Sequence, residues 1–127
     1  MTKKIIIKPA KSASAVGPYN HAVRFGDLLF CAGQIPIDPA TGNLVSGDIK
    51  AQAERVLENV KAILDDQKLT FANVVKSTVF LTNLADFAGM NEVYARYFTA
   101  DFPARSTIQV AGLPKGANVE IEVIAHY

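Results

Sequence analysis

The segment VEIEVIAH, residues 119–126, could do chemistry. In a β-strand, successive side chains alternate faces, so Val119, Ile121, Val123 and Ala125 share one side while Glu120, Glu122, Ile124 and His126 share the other. Two carboxyl groups side by side could include one that moves protons. Arg105, in PARS upstream, lies between Pro103 and a run of apolar and small polar residues. A guanidinium there is costly to bury without an anionic partner. Two readings follow. Arg105 and Glu120 form a structural ion pair between adjacent strands, or they belong to a site. Spacing alone does not choose between them.

Other reactive side chains reduce to simpler roles. Cys31 with His21 would suit nucleophilic chemistry only if a thiolate stood near the imidazole on an exposed turn. LLFCAG is instead an apolar strand, in which cysteine acts as a small buried hydrophobe. His21 and His126 are far apart in sequence, and no HxxxH or CxxC spacing exists, so no metal site is expected. AGQIP and AGLPKG contain glycines without the spacing of a phosphate loop, so no nucleotide cofactor is expected either. Arg55 and Lys61 read as a solvated helix face paired with Glu54 and Glu58.

The elements that position these residues can be read from the hydrophobic pattern. IIIK (5–8) suits a short strand closed by Pro9. AKSASAVGPYN (10–20) has a loop composition. HAVRF and LLFCAG are joined at Gly26-Asp27 as a hairpin. DPATG (38–42) is a tight turn with Asp38 bonding back to the backbone. From Asp48, the expected N-cap, Ile49, Ala53, Val56, Leu57, Val60, Ile63 and Leu64 form the apolar stripe of a helix. VVKSTVFLT (74–82) reads as a strand. LADFAGMNEVYARYF (84–98) carries a second helical stripe of Phe87, Met90, Tyr94, Tyr97 and Phe98, in which Gly89 is unfavourable. STIQVAG and NVEIEVIAHY are the last strands, joined by LPKGA.

This order predicts an α+β fold: a mixed sheet of about six strands with two helices packed on one face. The other face then keeps apolar surface needing cover, which points to a homo-oligomer. The 127 residues suit a single domain spanning 1–127. Lys plus Arg number 13 against 12 acids, a formal charge of +1, so no global field draws the chain to nucleic acid or an anionic membrane. The single cysteine excludes an intramolecular disulfide and fits a reducing, cytoplasmic setting. MTKKIIIKP has too short an apolar run for a secretory signal, and no stretch is long enough for a membrane span.

PARSTIQVAGLPKGANVEIEVIA, together with AVGPYN, LLFCAGQIPIDPATGNLV and VVKSTVFLTNLADFAGMNEVYARYF, resembles the reactive intermediate deaminase A (RidA) family over nearly the whole chain. The resemblance implies a chorismate-mutase-like fold, assembled as a homotrimer with sites in clefts between subunits. It also implies cofactor-free hydrolysis of small 2-imino or enamine acids, such as 2-iminobutanoate and 2-iminopropanoate, to 2-keto acids and ammonia. By position, Arg105 resembles the arginine that grips the substrate carboxylate, and its planar fork suits two-bond binding. Glu120 resembles the acid that handles the water and the leaving nitrogen, with Glu122 its structural neighbour. Tyr19, Gly33, Phe87 and Asn91 resemble the lining of the cleft. Ala32 and Thr107 stand where many members have Ser and Cys, and Thr107 keeps a hydroxyl toward the substrate. Asn20 and His21 stand where Ser and Gln are common.

Names given to relatives also suggest a chaperone-like or RNA- and translation-related role. The near-neutral charge and the lack of a basic stripe with interleaved aromatics argue against RNA. A chorismate-mutase-like isomerase would need more than one convergent arginine for its dicarboxylate.

Overall fold

The computed structural model describes residues 3–12, 15 and 17–127; Ala13, Ser14 and Val16 of the predicted first loop lie outside the described residues. The elements in chain order are β1 (Ile5–Ile7), β2 (Ala22–Phe25), β3 (Leu28–Gln34), α1 (Ile49–Asp66), β4 (Val74–Leu81), α2 (Phe87–Tyr97), β5 (Ala104–Gln109) and β6 (Val119–His126). The strands form a six-stranded sheet in the order β1-β2-β3-β6-β4-β5. Only the β4–β5 pair is parallel. The expected mixed sheet with two helices is therefore present.

Both helices cover one face. Val56, Leu57, Val60, Ile63 and Leu64 of α1 and Met90 and Val93 of α2 are fully buried, as are Val79, Leu81, Val119 and Ile121 from the sheet. Asp48 caps α1, its Oδ1 accepting from the Ala51 N–H at 3.0 Å. The α2 helix starts later than the hydrophobic stripe predicts. Asn83 Oδ1 accepts from Ala85 N–H at 2.9 Å and fixes Leu84–Asp86 as a separate 3₁₀ turn. Gly89, unfavourable by propensity, has a packing reason: a Cβ there would stand 2.8 Å from Ile49 Cγ2, so only glycine lets the helices approach this closely.

The last strands differ from the sequence expectation in one important respect. β5 begins at Ala104 and runs parallel to β4, with Ser77 opposite Arg105 and Val79 opposite Thr107. β6 pairs instead with the other side of β4, with Phe80 opposite Glu120 and Thr78 opposite Glu122. The strands carrying Arg105 and Glu120 are thus not adjacent, and the structural ion pair that one of the two readings placed between adjacent strands does not form within the chain. Strand patterns specify faces but not neighbours; the crossover through β4 is decided by the packing of the helices.

Directly opposed residues share a face. Glu120, Phe80, Ile108, Ile124, Phe30, Leu28, Phe25 and Ile6 therefore stand together on the face away from the helices. Ile6, Phe25, Leu28, Phe30 and Ile108 are each at least 39% exposed. The uncovered apolar sheet face expected from the sequence is present.

Candidate functional site

Glu120 is held in a groove formed by a fault in the sheet. Cys31 pairs with Val123 and Gln34 with Ile121, three steps on β3 against two on β6, so Ala32 and Gly33 form a bulge. The Glu120 side chain lies against Gly33: a Cβ at that position would be 2.8 Å from Glu120 Cδ and 2.9 Å from Cγ. Tyr19, His21, Gly33, Gln34, Lys115 and Glu120 are among the residues lining a cavity of about 430 Å³. Tyr19 meets the His21 ring edge-to-face at 6.1 Å. Gln34 Nε2 donates to Ala32 O at 3.2 Å and stands 3.2 Å from His21 Nδ1, tying the bulge to the imidazole. Lys115 adopts a left-handed backbone, φ 58, in the turn before β6.

Partial burial raises the Glu120 pKa, and the neighbouring charge of Glu122 raises it further. Arg105 does not offset this within the chain. Glu122 on the same face is exposed.

Arg105 belongs to a second cluster. Its partner Ser77 is fully buried and shares a 2.7 Å hydrogen bond with the Tyr94 hydroxyl of α2, so Arg105 projects on the helix side at the edge of the sheet. Arg105 Nη1 donates to Asn91 Oδ1 at 2.8 Å. The guanidinium carbon lies 4.6 Å from the centre of the Tyr94 ring and 5.6 Å from that of Phe87. Phe87, Asn91 and Tyr94 recur at i, i+4 and i+7, one face of α2 turned to one side chain. Burial raises the Tyr94 pKa, opposed by its bond to Ser77 and by Arg105. A cavity of about 430 Å³ is lined here by Asn91, Tyr94, Phe98, Phe102, Pro103 and Arg105 among others. Thr107 follows Arg105 on the same side of β5, and its Oγ1 is buried with no hydrogen-bond partner.

The residues singled out from sequence therefore fall into two groups. Tyr19, Gly33 and Glu120 line one cavity; Arg105, Asn91 and Phe87 touch one another at the other, with Thr107 beside them. Sequence reasoning passed over Gln34, Lys115, Tyr94 and Phe102. Tyr94 was legible only as part of a core stripe, although its spacing from Asn91 and Phe87 carried the second role. Cys31 is 7% exposed and burial pushes its pKa up to about 12, so it holds no thiolate at neutral pH. Among the described residues no three of His, Cys, Asp and Glu gather as a metal-ligand set, and no helix is long and apolar enough to cross a membrane.

A family model described as endoribonuclease L-PSP matches residues 10–127. The chain belongs to the L-PSP, or RidA, family. Protein DfrA of Myxococcus xanthus is 55% identical over 91% of this chain and 89% of its own. The human protein named 2-iminobutanoate/2-iminopropanoate deaminase is 45% identical over 94% of this chain and 88% of its own. RidA-family crystal structures share the fold. YyfA of Yersinia pestis superposes with a TM-score of 0.95 at 47% identity, covering 98% of this chain and 100% of that one. Escherichia coli TdcF, solved with bound serine, superposes with a TM-score of 0.91 at 44% identity, covering 97% of this chain and 98% of that one.

Proposed function

We propose that the protein hydrolyses small 2-imino acids, such as 2-iminobutanoate and 2-iminopropanoate, to 2-keto acids and ammonia, as a homotrimer whose sites lie between copies. The observation that carries this reading is the division of the machinery. The Arg105 cluster and the Glu120 cavity open on different sides of one sheet, with β4 between their strands. The exposed apolar face beside Glu120 offers the contact surface that would bring Arg105 of one copy to Glu120 of the next. The human relative's name and the serine bound to TdcF support a substrate of amino-acid size.

In this reaction Arg105 binds the substrate carboxylate through two parallel N–H bonds. Water adds to C2 of the C=N bond, and its proton passes through the Glu120 carboxyl to the nitrogen. Glu120 then moves the hydroxyl proton of the resulting carbinolamine to its amino nitrogen, the C–N bond breaks as the C–O bond becomes C=O, and ammonia leaves. Both steps need one group that gives and takes a proton; within one chain burial and Glu122 raise the Glu120 pKa toward neutrality, against which Arg105 of the next copy acts. Tyr19 and Gly33 line the acid's side of the cleft, and Phe87, Asn91 and Thr107 the arginine's side. Partners are thus a small imino acid and two further copies. The near-neutral charge does not favour nucleic acid.

The test couples the protein to a pyridoxal-phosphate threonine dehydratase that generates 2-iminobutanoate, with semicarbazide trapping imine that escapes hydrolysis. The expected result is suppression of semicarbazone formation, with a trimer's mass by light scattering at micromolar concentration. Unaltered semicarbazone formation refutes the activity, and a monomer's mass refutes the shared site.

A further inference from the structure

We propose that Asn91 is a positioning residue that orders the Arg105 guanidinium before the substrate carboxylate arrives. The inference rests on the reading of Arg105 as the carboxylate grip. A guanidinium can hold a carboxylate end-on, through Nη1 and Nη2, or side-on, through Nε and Nη2. The 2.8 Å bond from Nη1 to Asn91 Oδ1 takes one of the five N–H donors and holds the group in one orientation.

The rest of the cradle restrains the same group. The Tyr94 ring lies 4.6 Å from Cζ and restricts out-of-plane movement, while the Phe87 ring stands 5.6 Å away. The Tyr94 ring is itself anchored by the 2.7 Å bond to buried Ser77 on β4, opposite Arg105. A stacked contact with Phe98, 4.2 Å between ring centres, closes its other side. An arginine carries several rotatable bonds, and ordering such a side chain during binding weakens affinity. Here much of that ordering is present before substrate arrives. Asn91 restrains the guanidinium by a charge-assisted hydrogen bond. An aspartate there would form an ion pair with Arg105 and set a second negative charge against the incoming carboxylate.

Three variants and two readouts test the inference. In ¹⁵N spectra, the Arg105 Nη1 and Nη2 groups of the wild type should give separate signals because the bond to Asn91 holds rotation about Nε–Cζ, the motion that exchanges the two groups. They should merge in Asn91→Ala and stay separate in Asn91→Gln if the longer amide reaches. In steady-state assays, Asn91→Ala should raise KM about three- to tenfold while kcat changes less than about threefold, since one grip serves substrate and transition state alike. Asn91→Asp should raise KM by roughly 100-fold, partly recovered at a pH low enough to protonate the new carboxyl. Merged Nη signals in the wild type, or a wild-type KM in both Asn91→Ala and Asn91→Asp, would overturn the inference. A wild type with no imine hydrolysis would instead overturn the proposed reaction, and the spectra would still decide the role of Asn91.

Discussion

Replacing Gly33 by Ala tests whether the proton-handling role of Glu120 depends on the bulge. The backbone of Gly33 does not lie in the left-handed region, so alanine meets no conformational penalty there. The new Cβ would stand 2.8 Å from Glu120 Cδ and 2.9 Å from Cγ. Carbon atoms settle at about 3.5–4.0 Å, so the side chain must retreat by about 0.7–1 Å or turn to another rotamer. Such a turn costs about 0.5–1.5 kcal/mol. The lost freedom of the unfolded chain offsets about 0.4–1 kcal/mol of it, so the melting temperature should move by only a few degrees. Misplacing a catalytic group by ~1 Å lowers the rate by about 10², and kcat in the coupled imine assay should fall on that order. Combining Gly33→Ala with Glu120→Gln should be no worse than Glu120→Gln alone, because both act through the same carboxyl. A Gly33→Ala protein that folds and assembles normally, with kcat within threefold of wild type, refutes the reasoning.

Further outcomes follow from the same geometry. Arg105→Lys should keep the fold and assembly yet lose most imine hydrolysis, since a single ammonium cannot make the two-bond grip; full activity in a correctly assembled variant would leave Arg105 a structural role. Glu120→Gln should lower the rate by ~10²–10⁴, whereas Glu122→Gln, on an exposed position, should do far less; the reverse order at equal oligomer content would reassign the acid. Burial and Glu122 raise the Glu120 pKa on folding, so the folded chain holds this proton more tightly than the unfolded one. That contribution is complete below the unfolded value and is lost as pH rises through the folded value. Glu120→Gln should therefore gain thermal stability relative to wild type as pH rises from the unfolded value through the raised folded value; a constant difference would show the carboxyl to be unperturbed, and a shrinking one would show its pKa to be lowered.

Much of the fold was legible because each element has one clear apolar side. The α1 stripe and its Asp48 cap, the hairpin at Gly26-Asp27 and the alternation of Val119, Ile121, Val123 and Ala125 are local signals, and a chain with such one-sided elements has few ways to bury them. What local signals omit is which strands meet. Nothing in STIQ or VEIE says that VVKSTVFL will lie between them, so of the two readings of Arg105 and Glu120 left open by their spacing, the sheet order removed the ion pair between adjacent strands. The bulge at Ala32-Gly33 was invisible for a similar reason, since it exists only as a mismatch between β3 and β6. Gly89 shows the converse: its low helix propensity was legible, but the contact with Ile49 that requires it depends on where the two helices cross. Membership of the RidA family was legible from the motifs, which carry the residue types of both cavities without their division across the sheet.

The position of β4 between the two chemical strands has a consequence for mixtures of damaged chains. On the proposed reading, one copy lends its arginine and its neighbour the acid, so a chain disabled at Arg105 can still serve the neighbour that faces its intact Glu120. Arg105→Lys and Glu120→Gln, each inactive alone, should complement one another when unfolded and refolded together. With equal amounts and random assembly, about one interface in four would combine an intact arginine with an intact acid, restoring about a quarter of wild-type turnover. A chain that holds both groups within itself would restore none.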